Sequence, residues 1–168
     1  MGSGRRYNGV VKPTVYIETT IPSYYCDERV SLAREIARTR EWWDLERERY
    51  ECFVSPVVLD ELSSGAYPSM KACLTLVAEV PMVEVVSDIV EIAEVYQGRG
   101  VMPKVPVRDA FHLPLASYYR MDYLLTWNCR HLANANKTRR IEAVNIRLGL
   151  SVPQLVTPDF LQPWEEES

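Results

Sequence analysis

The chain has 168 residues, 47% hydrophobic and 25% charged, enough to bury the core of one domain. Its formal charge of −4 lacks the net basic balance of most nucleic-acid-binding domains, although residues 130–140 carry Arg130, Lys137, Arg139 and Arg140 with no acid among them. Four scattered cysteines without a C-x-x-C pair, beside two histidines, exclude a locally assembled zinc site, and no apolar stretch is long enough to span a bilayer.

The opening MGSGRRYNG has no apolar signal-peptide region, so the expected location is the cytoplasm and no membrane partner is expected. Residues 1–13, with a GSG that reads as a cloning remnant, are expected to be a flexible segment outside the fold. From Thr14 the run TVYI is β-branched and aromatic and predicts a strand buried on both faces, stopped by Thr19, Thr20 and Pro22. SLAREIARTREWWDLERER then spaces Leu32, Ile36, Trp42, Trp43 and Leu45 near the helical period, predicting one long amphipathic helix or a broken pair with its charges in solvent.

YECFVS is a second strand, after which Ser55 is placed to cap a helix with Pro56 at its first position. That helix carries Glu61 and is broken by Ser63, Ser64, Gly65 and Pro68. A further helix is expected over 69–79, a short strand MVEVV over 82–86, and a helix capped by Asp88 that runs through Ile89, Ile92, Ala93 and Tyr96 to Gly98. After the proline-punctuated VMPKVPV, a helical pattern from Arg108 to Arg120 is interrupted at Pro114. Asp122 is read as a turn residue before a buried strand, YLLTW. Strands alternating with helices argue for an α/β fold: a parallel sheet covered on both faces by right-handed crossovers.

Sites in open α/β sheets form outside the carboxyl ends of the strands. Glu18 and Asn128 occupy such ends, and Glu61 and Asp109 lie near the starts of helices along the same edge. Brought together, they form an oxygen-rich site of the kind that holds Mg²⁺ or Mn²⁺. Adjacent helical positions point about 100° apart, and the apolar Val57, Val58 and Leu62 place Glu61, rather than Asp60, beside the packed stripe. Duller readings stand beside these: an arginine partner for Glu18, helix caps for Asp109 and Asn128. His112 shares the face of Asp109, but in FHLPLA it reads first as a hydrogen-bonded core histidine and second as a ligand or proton shuttle.

With these residues placed, the sequence resembles the PIN-domain family, most closely its VapC-like toxin branch. The matching pieces, in order over residues 14–161, are YIETTIPSYY, SPVVLDEL, RDAFHLPLAS, DYLLTWNCRHLAN, RRIEAVNIRLG and TPDFL. The resemblance implies a three-layer α/β/α domain over 14–163 with a central parallel sheet of four to five strands, followed by an acidic tail at 164–168. It also implies acids clustered at one edge to bind Mg²⁺ or Mn²⁺ for RNA hydrolysis, a homodimer, and a small antitoxin that covers the groove. The family's four site positions fall on Glu18, Glu61, Asp109 and Asn128, and its hydroxyl position on Thr20. Glu18 and Asn128 stand where Asp is usual, the first adding a methylene and the second removing a charge.

In the mechanism this suggests, Glu18 and Asp109 hold the ion with Asn128 assisting, Thr20 and Thr126 orient the site, and Glu61 orients or deprotonates the attacking water. Arg130, Lys137, Arg139 and Arg140 hold the RNA backbone. The alternative is a PIN-like RNA- or protein-binding module with weak catalysis, which Glu18 and Asn128 favour.

Overall fold

The structure, a computed structural model, describes residues 6–7, 9–99, 110–128 and 135–161. Ahead of the main sheet, β1 (Arg6–Tyr7) and β2 (Val10–Val11) form a short antiparallel pair within the segment set aside at 1–13. The main sheet is all parallel, in the order β4-β3-β5-β6. Its strands are β3 (Thr14–Ile17), β4 (Glu51–Phe53), β5 (Tyr123–Leu125) and β6 (Gln154–Val156). Val15, Tyr16 and Ile17 of β3 are fully buried, as a central strand with both faces covered requires. Asp122 does more than turn the chain: its Oδ2 accepts from the Thr14 amide at 2.8 Å, and its own amide donates to Thr14 Oγ1 at 2.9 Å. These bonds tie the starts of β3 and β5 in register.

Among the described residues seven α-helices surround the sheet: α1 (Thr20–Tyr25), α2 (Ala33–Glu41), α3 (Pro56–Ser63), α4 (Met70–Val77), α5 (Ser87–Gly98), α6 (His112–Tyr118) and α7 (Ala135–Leu148). No helix among these residues is long and apolar enough to cross a membrane. After α2 the chain widens into a π-turn over Trp42–Glu46, which turns both adjacent tryptophans inward: Trp42 is fully buried and Trp43 nearly so. The charges of this segment are not all in solvent. Arg38 pairs with Glu46 at 3.0 Å, and each side chain is only 12% exposed.

Several expected elements differ in detail. The strand expected at 82–86 is reduced to a single parallel bridge, Val54 to Met82. The Glu84 carbonyl instead accepts from Tyr119 Oη at 2.6 Å, which takes it out of any ladder. Helix α5 starts at Ser87 after an extended Val86, so Asp88 sits inside the first turn, where the helix dipole favours an acid, rather than at the cap. Its buried residues are Ile89, Ile92, Ala93 and Tyr96, as the periodicity predicted. Pro114 does not interrupt α6: it is the third residue of that helix, where the N–H it lacks would have no intrahelical partner.

Strand β6 and helix α7 have no counterpart in the predicted elements. Helix α7 is anchored by the fully buried Asn145, whose Oδ1 accepts from Tyr96 Oη and whose amide donates to Ser117 Oγ at 3.1 Å and to the Ser151 carbonyl at 2.8 Å. This one side chain joins α5, α6, α7 and the lead into β6. Cys26, Cys52 and Cys73 are free thiols, and burial pushes Cys52 up to about 12, so it packs as a small apolar group.

Candidate metal centre

The chain passes from β3 to β4 on one side of the sheet and later places β5 on the other side of β3, so the strand order reverses at β3. Crevices form at such a switch point, outside the strand carboxyl ends. Glu18 follows β3 there, and its amide donates to the Leu125 carbonyl of β5 at 3.1 Å. The residue is only 5% exposed. Its Oε2 accepts from the Thr20 amide at 3.0 Å, Thr20 Oγ1 at 2.5 Å and Thr126 Oγ1 at 2.8 Å. Each hydroxyl also accepts from the chain leaving β5: Thr20 Oγ1 from the Trp127 amide and Thr126 Oγ1 from the Asn128 amide, both at 2.9 Å. Three donors offset the desolvation of Oε2. Among the described residues Oε1 accepts no hydrogen bond, and Glu18 makes no ion pair, so no described arginine neutralises it.

Helix α3 supplies Glu61 from the next crossover. Its Oε1 meets His112 Nε2 at 2.6 Å, with the His112 side chain 4% exposed and the Glu61 side chain 16% exposed. Asp60, one position earlier, is exposed. On the far side of the imidazole, Nδ1 lies 2.7 Å from Tyr16 Oη, which is 2.8 Å from Ser55 Oγ. Ser55 does hold the cap position of α3, with Pro56 first in the helix, but its hydroxyl makes no cap bond and is taken by Tyr16 instead. Burial raises the Tyr16 phenol far above its ordinary pKa; the Ser55 hydrogen bond opposes this, and the charges of Glu18 and Glu61 add to it. Tyr16 is therefore a neutral hydroxyl, able to give one hydrogen bond and accept another.

One ligand atom from each of Glu18, Glu61 and His112 lies within 4.8 Å of both others. Two carboxylates and an imidazole this close form a set that can receive a divalent cation. Of the residues singled out in the sequence, the structure brings together Glu18, Glu61, Thr20 and Thr126. Asn128 is half-buried, with its amide tied to Thr126. Asp109 and Arg130 lie outside the described residues, as does the Lys137 side chain, while Arg139 and Arg140 are exposed on α7. His112 was read chiefly as a core residue, and Tyr16 and Ser55 were not read as part of the site. The D-x-x-H spacing at 109–112 was the available signal for His112. Beside the cluster, Trp127 stacks on Tyr24 with centroids 5.8 Å apart at 13°, and its Nε1 donates to Thr39 Oγ1 at 2.7 Å.

Comparison with known proteins places this architecture. No protein-family model matches the chain, and no curated protein matches it. Among solved structures, one chain of the VapBC2 complex from Rickettsia felis, crystallised bound to a DNA fragment from its promoter, superposes with a TM-score of 0.55 at 14% identity, covering 86% of this chain and 98% of that one. A toxin–antitoxin complex from Klebsiella pneumoniae gives a TM-score of 0.55 at 18% identity, covering 86% of this chain and 97% of that one. The chain thus has, over most of its length, the four-stranded parallel α/β fold of VapC, the PIN-domain toxin of such complexes.

Proposed function

We propose that this protein is a divalent-metal-dependent endoribonuclease, the toxin of a type II toxin–antitoxin pair. The observation that carries the reading is Glu18: a buried carboxylate at the switch point of a VapC-like sheet, with one oxygen saturated by donors, no cationic partner among the described residues, and Glu61 and His112 alongside. A strand-end carboxylate left in this state is expensive unless a cation shares the pocket.

Glu18 and Asp109 would hold Mg²⁺ or Mn²⁺, with Asn128 assisting. A divalent ion bound there supplies charge against the phosphodiester oxygens and acidifies the attacking water. Thr20 and Thr126 hold the Glu18 carboxylate in one orientation. Glu61, beside the cluster, orients the attacking water and takes its proton. Arg130, Lys137, Arg139 and Arg140 hold the RNA backbone. The two solved neighbours are both complexes with antitoxins, which supports a small antitoxin as the partner; a homodimer acting in the cytoplasm completes the proposal.

The test is cleavage of a mixed RNA substrate by purified protein with and without Mg²⁺ or Mn²⁺. Cleavage is expected only with the ion, and Glu18→Gln and Asp109→Asn should abolish it while leaving thermal unfolding cooperative. Binding of RNA without turnover under every divalent ion would point instead to the binding module.

A further inference from the structure

We propose that His112 is itself a ligand of the ion, giving a mixed carboxylate–imidazole site that favours first-row transition ions, Mn²⁺ among them, over Mg²⁺. This rests on the reading of the site as a divalent-cation centre and deepens it. Mg²⁺ keeps to oxygen ligands and sheds water reluctantly, whereas an imidazole nitrogen raises the relative affinity for ions along the Irving–Williams order.

Three features of the structure converge on this. The first is proximity, since the ligand atoms of Glu18, Glu61 and His112 lie within 4.8 Å of one another. The second is Glu18: it is 5% exposed, its Oε2 is filled by Thr20 and Thr126, and its Oε1 has lone pairs that no described residue uses. The third is the backing of the imidazole. Ligating histidines characteristically place their other ring nitrogen on a fixed polar group, which sets the tautomer and the plane of the ring. Here Nδ1 is fixed by Tyr16 Oη at 2.7 Å, and Tyr16 by Ser55 Oγ at 2.8 Å, in a fully buried row.

The proton accounting closes within that row. As the structure stands, the hydrogen bond to Glu61 assigns the proton of a neutral ring to Nε2, so Nδ1 accepts from Tyr16 and Ser55 donates to Tyr16. With an ion on Nε2 the neutral ring carries its proton on Nδ1, which donates to Tyr16 Oη, and the phenol hydrogen turns to Ser55 Oγ. No net proton is gained or lost, and no hydroxyl of the row is left without a partner. Tyr16 can serve both arrangements because a phenol hydroxyl both gives and accepts a hydrogen bond, and both its partners are in place. Glu61 Oε1, released from Nε2, then faces the ion and its water.

The experiment is Mn²⁺ binding followed by continuous-wave and pulsed electron paramagnetic resonance on protein free of any histidine tag. His131 is the only other histidine of the chain, so His131→Gln is the control. The expected result is a nitrogen coupling characteristic of a directly bound imidazole in the wild type and in His131→Gln. His112→Gln should lose that coupling and bind Mn²⁺ about tenfold or more weakly. Mg²⁺ should displace Mn²⁺ from the wild type only in at least about tenfold excess. Mn²⁺ bound without the coupling, or a coupling that persists in His112→Gln, overturns the inference and leaves the nuclease reading standing. No bound Mn²⁺ at all overturns both. Should His112→Gln not fold, the coupling in the wild type and its survival in His131→Gln decide the matter.

Discussion

Thr126→Val is an isosteric change that removes only a hydroxyl, and that hydroxyl makes two described hydrogen bonds in a fully buried position: it donates to Glu18 Oε2 at 2.8 Å and accepts from the Asn128 amide at 2.9 Å. A hydrogen bond to a charged group contributes about 1.5–3 kcal/mol and a neutral one about 0.5–1.5 kcal/mol, and here the loss also leaves a donor and an acceptor short of a partner. The expected destabilisation is about 3 kcal/mol, or roughly 6–12 °C in Tm for a chain of this size. Thr126→Ser keeps both bonds and loses one methyl, for about 1 kcal/mol. Urea unfolding followed by circular dichroism measures both variants. Repeating Thr126→Val in a Glu18→Gln background should reduce its cost by the charged portion of the bond. The reasoning fails if Thr126→Val lies within 0.5 kcal/mol, roughly the margin for a neutral substitution, of the wild type. It also fails if Thr126→Ser is the more damaging change.

Asn145→Leu replaces the side chain that joins α5, α6 and α7, takes the amide donor from the Ser151 carbonyl and leaves the Tyr96 hydroxyl with Ser117 Oγ as its described partner. A loss of about 3–4 kcal/mol is expected by the same urea assay, with the far-ultraviolet spectrum of the surviving folded fraction unchanged. Asp159 is held below the usual carboxylate range chiefly by its hydrogen bonds to Arg34. A depressed folded pKa contributes stability that is present above the unfolded value of about 3.9 and is lost as pH falls through the folded one. Stability of Arg34→Ala measured from pH 6 downward should therefore start lower than the wild type and converge with it in acid; a constant offset at every pH would refute this.

What could be read from the chain was what its neighbours in sequence decide. The buried strand at Thr14–Ile17, the inward face of α5 and the Ser55-Pro56 helix start follow from local apolar spacing and from proline's missing N–H. Glu18 was legible for the same reason, as an acid directly after a buried strand. The Ser55–Tyr16 partnership is not legible, because Ser55 satisfies a cap in sequence and Tyr16 in space, a choice made by a strand 39 positions away. Strand β6 escaped because only one of its three residues, Val156, is buried, leaving no alternation to detect. His112 reads as a core residue or a ligand, and the structure shows that burial and membership of the cluster are compatible: its ring is enclosed while Nε2 meets the Glu61 carboxylate.

The stacked Tyr24–Trp127 pair gives the protein an internal optical gauge. The Trp127 amide leans on the same threonine oxygen that pins the first acid, so any shift of that acid is transmitted to the indole within a single residue. Trp42 and Trp43 are buried in the π-turn that continues α2, the helix whose Thr39 holds the Trp127 indole, so their emission adds to that of Trp127. The Trp127 contribution to emission therefore reports on the crevice without an attached dye.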